Sequence, residues 1–111
     1  MYFCHENDKP SKPAMAGDKV VEGLSKKLMF TGDKMQVWIV EMKKGMTIPE
    51  HAHPMEQCGC ILKGKFEANV GGEKAVLAPG HYYLFPGNMP HSGYIHEDTV
   101  LLDIYSPPQK Q

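Results

Sequence analysis

The sequence has no excess of either charge: 12 Lys and Arg stand against 13 Asp and Glu, a formal net charge of −1. Without a basic stripe or patch there is no electrostatic footprint for nucleic acid. Long hydrophobic runs are also missing. No stretch approaches the roughly 20 apolar residues that a membrane helix needs, and the N-terminus carries no apolar leader region, so a soluble cytoplasmic protein is expected. Cysteine is scarce and odd in number, at Cys4, Cys58 and Cys60. A bond between residues as close on a strand as Cys58 and Cys60 would demand unusual geometry, so reduced thiols are expected. No segment sustains a helical period, and there is neither an internal repeat nor a low-complexity tract. At 111 residues the chain has room for one two-layered core and no second domain.

What remains is a β-protein. From Asp18 onward, runs rich in Val, Ile, Leu, Tyr and Phe alternate with turn residues: Lys26–Phe30, Met35–Met42, Gln57–Leu62, Lys65–Val70, Ala75–Leu77, His81–Phe85 and Val100–Tyr105. Lys63-Gly64-Lys65, Gly71-Gly72, Pro86-Gly87-Asn88 and His96-Glu97-Asp98 are among the expected turns. This rhythm predicts an antiparallel sandwich or barrel. Residues 1–17 read as a short apolar arm, with Tyr2 and Phe3 available to a partner subunit, followed by a flexible tether through Lys9-Pro10-Ser11-Lys12-Pro13. Residues 18–108 form the barrel, and 109–111 a frayed tail after Pro107-Pro108.

Within that frame, His51 and His53 stand two apart, which puts both imidazoles on one face of an extended strand. Gln57 keeps the same parity if the strand resumes in phase after Pro54. His91 follows in a second Gly- and Pro-rich cluster. Three imidazoles and one oxygen converging in a barrel would hold a divalent transition metal such as Zn, Ni, Fe or Mn and leave room for a ligand. Glu56 is the rival oxygen donor, but it lies on the opposite strand face from Gln57. His5, His81 and His96 have no such company, His81 starting a strand and His96 sitting at an expected hairpin tip. Asp103 is the second unusual residue, a carboxylate in the apolar run Val100–Tyr105. An unpaired carboxylate there would cost several kcal/mol, so it needs either a structural partner or a chemical role as a general acid or base of raised pKa. The Lys26-Lys27 pair reads as a solvated strand end that could help hold a carboxylate.

These intervals resemble the two motifs of the cupin superfamily. Gly45, His51, His53, Gln57 and Gly64 match the first at every interval, with Gln57 where glutamate is usual. Gly80, Pro86 and His91 match the second, with Asn88 and Ile95 in place of its glycine and asparagine. The resemblance implies an all-β single-domain cupin, a double-stranded β-helix or jelly-roll barrel. The run His53-Pro-x-Glu-Gln57 and the ending Leu102-Asp103-Ile104-Tyr105-Ser106-Pro107-Pro108 further resemble the pectin-degradation cupins, which open the ring of 4,5-unsaturated uronate monosaccharides. By that resemblance His51, His53, Gln57 and His91 hold the metal, Asp103 is catalytic and Tyr105 shapes the pocket. The family's arginine six places after the aspartate is missing; Gln109 stands there, with Lys110 beside it.

A neutral Gln57 would leave the metal's charge uncompensated, making it a weaker trap but a stronger Lewis acid. Gly59, on the Gln57 face, would leave space beside the metal, while Cys58 and Cys60 point the other way. The expected activity is conversion of a small unsaturated uronate, or a related enol-ether sugar acid, to its linear keto form. A homodimer paired through an exposed sheet and the N-terminal arm is expected. The competing readings are a non-catalytic metal-dependent binding cupin and another cupin enzyme, a lyase or a dioxygenase.

Overall fold

The computed structural model of the protein describes residues 2–16 and 19–108, with the side chains of 15, 16, 19 and 20 outside the description. The expected boundary between residues 17 and 18, and the tail 109–111 with Gln109 and Lys110, fall outside it too. Among the described residues there is no α-helix, and none long and apolar enough to cross a membrane. One 3₁₀ turn, Glu6–Asp8, precedes eight strands: β1 (Lys12–Ala16), β2 (Lys19–Thr31), β3 (Gln36–Met42), β4 (Thr47–His51), β5 (Glu56–Val70), β6 (Glu73–Leu77), β7 (Tyr82–Phe85) and β8 (His91–Ser106).

Two long strands organise the barrel. The first half of β8 pairs with β4 and with the far end of β5, at Ile95↔Phe66 through His91↔Val70. Its second half pairs with β3 and with the start of β5, at Tyr105↔Gln57 through Leu101↔Ile61. Between these stretches the β5–β8 register slips three times, at Ile61/Lys63, Lys63/Lys65 and Lys65/Phe66. Such bulges bend a strand and raise its twist, so each chain segment passes from one wall of the barrel to the other without leaving the sheet. Gly64 sits at this corner with φ 95°, and a Cβ there would stand 2.3 Å from the Asp98 carbonyl oxygen. Lys63–Lys65 and His96–Asp98 are therefore corners inside continuous strands, not the turns that their composition predicts. The core packed between the walls is apolar, built on Val40, Met42, Ile61, Phe66, Ile95 and Leu101.

The N-terminal segment also departs from the sequence reading. Lys12–Ala16 pairs antiparallel with β2 instead of forming a tether. Pro13 is tolerated because β1 is the edge of the sheet, where a missing N–H leaves no ladder bond broken. Cys4 reaches the Met29 carbonyl at 3.7 Å, so the arm lies along β2.

Candidate metal centre

His51 ends β4, directly opposite His91 at the start of β8. His53 is not on that strand: it arrives from the loop behind it, where its carbonyl accepts the Asn88 N–H at 2.8 Å. Asn88 adopts φ 62°, a left-handed conformation that asparagine tolerates better than most residues, so its replacement of a motif glycine keeps the turn. The three rings converge, with His91 4.3 Å from His51 and 5.0 Å from His53 between centroids, and ligand atoms of all three within 4.8 Å of one another. Phe85 stacks on His91 at 4.5 Å and holds its plane.

The other ring nitrogen of each histidine is engaged by backbone. Nδ1 of His51 meets the Pro49 carbonyl at 2.8 Å, that of His53 the Met55 carbonyl at 2.9 Å, and that of His91 the Met89 carbonyl at 3.0 Å. A carbonyl can only accept, so each Nδ1 carries the proton and each Nε2 presents a lone pair inward. Two consequences favour a cation. His91 Nε2 is buried with no hydrogen-bond partner. His53 Nε2 faces Gln57 Oε1 at 3.1 Å, one acceptor against another, an arrangement that a cation shared between them satisfies. An N₃ or N₃O donor set of neutral imidazoles suits a divalent transition metal.

Gln57 links this cluster to the carboxyl behind it. Its amide nitrogen donates to Asp103 Oδ1 at 2.9 Å while its oxygen looks toward His53. Tyr83 donates its hydroxyl to the same Asp103 oxygen, and its hydroxyl lies 3.0 Å from the Leu102 carbonyl. Asp103 is 5% exposed. Burial pushes its carboxyl above the usual range; the hydrogen bonds from Tyr83 and Gln57, and the positive charge of Lys26, oppose that rise. Burial raises the Tyr83 and Tyr105 phenols, and Asp103 adds to both shifts. His91 is lowered chiefly by burial, which favours the neutral, ligating form. Tyr105 packs at 5.7 Å from the His53 ring and lines the same cavity.

That cavity, about 420 Å³, is bounded by His51, Gln57, His91, Asp103, Tyr105 and an apolar wall that includes Val40 and Leu101. Its size suits a small metabolite. Glu56, the rival ligand, is exposed and aligns with Ser106, away from the triad. Gly59 does not line the cavity. Opposite both Tyr83 and Asp103 in register, its absent side chain makes room for the Leu102 carbonyl, 1.7 Å from where a Cβ would stand, and for the Tyr83 hydroxyl at 2.6 Å. The space expected beside a metal is therefore filled by protein.

Sequence reasoning missed Tyr83; a glycine in mid-strand, which marks close approach of another backbone or group, was the signal that could have found it. It also misplaced Lys26, which lines the cavity instead of ending in solvent. The remaining histidines have local roles. His5 caps the 3₁₀ turn by accepting the Asn7 N–H at 3.1 Å, and His81 closes a turn with Ala78. His96, in β8 and not at a hairpin tip, meets Glu67 at 3.0 Å.

A family model for the cupin domain matches residues 38–105. The pectin degradation protein KdgF of Dickeya dadantii (strain 3937) is 28% identical over 92 residues, covering 81% of this chain and 84% of its own length. The quercetin 2,3-dioxygenase of Bacillus subtilis (strain 168) is 35% identical over 77 residues, 68% of this chain but 23% of that enzyme. In the solved KdgF from Halomonas sp. the backbone agrees with a TM-score of 0.87 at 23% identity, covering 99% of this chain and 96% of that one, a likeness of fold.

Proposed function

This chain belongs to the cupin domain family, and from that premise we propose that it is a metal-dependent enzyme converting a small unsaturated uronate, or a related enol-ether sugar acid, to its linear keto form. The observation that carries the reading is the line of contacts from the histidine triad, past the Gln57 oxygen that faces His53, to a buried Asp103 that the Gln57 amide holds by a hydrogen bond and that faces the same cavity. Similarity to the pectin degradation protein supports the substrate class. His51, His53, Gln57 and His91 would hold one divalent transition metal per subunit, which when bound supplies Lewis acidity toward substrate oxygens.

The chemistry asked of the protein's own groups is proton movement. Opening the ring removes the proton from the C1 hydroxyl, breaks the bond between C1 and the ring oxygen, and forms the C1 carbonyl. The electron pair left on that oxygen becomes the C5 ketone as C4 takes a proton, so the product is an isomer and no water is consumed. Asp103 is the group that accepts and returns the proton, with Tyr83 and Gln57 fixing its oxygen. Tyr105 closes the pocket beside His53 and helps exclude water.

A second reading, a dioxygenase on the same scaffold, is favoured by the local identity to quercetin 2,3-dioxygenase. A non-catalytic binding cupin is the third. Turnover of 4,5-unsaturated uronate, followed as loss of the enol-ether absorbance, separates them. Asp103→Asn is expected to lower turnover by about 10²–10⁴-fold, with metal content and melting temperature close to wild type. A fully active Asp103→Asn variant removes the proton-transfer role, and a wild type inert on every unsaturated uronate refutes the ring-opening assignment.

A further inference from the structure

The cavity wall holds one fixed cation. The chain contains no arginine, and Lys26 is the sole lysine among the lining residues. Its position in β2, aligned with Val40 of β3, turns the side chain toward the barrel interior. There the ammonium lies 5.5 Å from the centre of the Trp38 ring, a cation–π distance that fixes its reach. Yet among the described residues it has no ion pair and no side-chain hydrogen bond. Asp103, the sole carboxyl on the same wall, stays beyond 4.0 Å of the ammonium and spends one oxygen on Tyr83 and Gln57. An ammonium taken partly out of water without an anionic partner is unfavourable unless something compensates it. Burial accordingly lowers the Lys26 pKa, and the charge of Asp103 only partly opposes that.

We infer that Lys26 forms a carboxylate subsite in this cavity, selecting small anionic ligands over neutral ones of the same shape. The chemistry is one-point: a compact ammonium offers three donors to any oxygen of a carboxylate and does not demand the planar bidentate geometry of a guanidinium. Trp38 and the apolar wall around Leu24 and Leu101 keep water from screening the contact. The position rests on the ring-opening reading for the identity of its ligand: the carboxylate on C5 of the uronate would sit at Lys26, turning the sugar ring across the cavity toward the histidines and Asp103. Lys26 is a specificity residue in this scheme and transfers no proton.

Binding without turnover tests it. Galacturonate and galactose differ at C6 by the carboxylate, and neither has the enol ether. Calorimetric titration of the metal-replete protein is expected to show galacturonate bound more tightly. Lys26→Met should weaken galacturonate by roughly 10- to 100-fold and leave galactose unchanged, while Lys26→Arg retains most of the preference. Equal affinity for the two sugars in wild type, or an equal loss for both in Lys26→Met, overturns the subsite. In turnover the same substitution should raise KM and change kcat little. Turnover with a KM indifferent to Lys26→Met keeps the ring-opening reading and refutes the subsite. A Lys26-dependent preference for galacturonate in a protein inert on unsaturated uronates does the reverse.

Discussion

At position 57 a glutamine faces two ways, and a glutamate could face only one. Its oxygen looks toward His53 and its N–H₂ donates to Asp103 at 2.9 Å. A carboxylate there would still offer an oxygen toward the histidines but would set a second acceptor against Asp103, forcing the pair to share a proton or separate. A neutral amide at this position would thus do two things, leaving a bound metal the stronger Lewis acid and keeping a donor toward Asp103. Gln57→Glu is expected to hold metal more tightly, read as slower loss to a competing chelator. It should lower turnover by about 10- to 100-fold, the range seen when groups supporting a metal site are altered. Unchanged metal retention together with an unchanged rate would take Gln57 out of the mechanism. Tyr83 belongs to the same network, since removing its hydroxyl leaves a buried carboxyl short of a donor.

At the scale of elements, β5 and β8 decide where these residues meet. Gly59 lies where β5, β7 and β8 come closest, paired with Tyr83 on one side and Asp103 on the other. An alanine methyl would collide with the Leu102 carbonyl, which belongs to the β8 backbone and cannot rotate away. Gly59→Ala is therefore expected to destabilise the protein by about 3 kcal/mol or more and to loosen the Tyr83–Asp103 contact. Gly32→Ala is the control, because its methyl would meet Met35 at an ordinary 3.6 Å and should alter the melting temperature little. A melting temperature equally insensitive at both positions would show that the close approach at Gly59 is relaxed in solution.

For the molecule as a whole, the outer face of the same sheet carries apolar side chains in register: Leu84, Cys58, Ile104 and Val37 across four strands, with Tyr82, Cys60 and Leu102 beside them. Tyr82 is 79% exposed and Leu84 55%. An exposed apolar patch of this kind can be covered by the same patch of a second copy across a two-fold axis, so we expect it to pair two copies of the chain. Sedimentation should give a dimer for wild type and a monomer for Leu84→Asp. A monomeric wild type at working concentrations would refute the pairing.

The sequence alone carried the β-class, the two spaced motifs and the unusual Asp103, because strand periodicity and ligand spacing are local and a carboxylate in an apolar run stands out without coordinates. It could not show that Lys63–Lys65 and His96–Asp98 are corners of continuous strands, since a bulged bend and a turn recruit the same Gly, Lys and Asp residues. Nor could it assign Gly59, Tyr83 and Lys26, whose roles depend on partners 12 to 77 residues away in the chain. Lys26 reads as solvent-facing on β2 alone; only the closing of β2 and β3 against β8 turns its ammonium into the cavity that Asp103 shares. The candidate ligand set was written in local spacing, whereas the neighbours around it were decided by the barrel, since burial and charge pairing are properties of three-dimensional proximity.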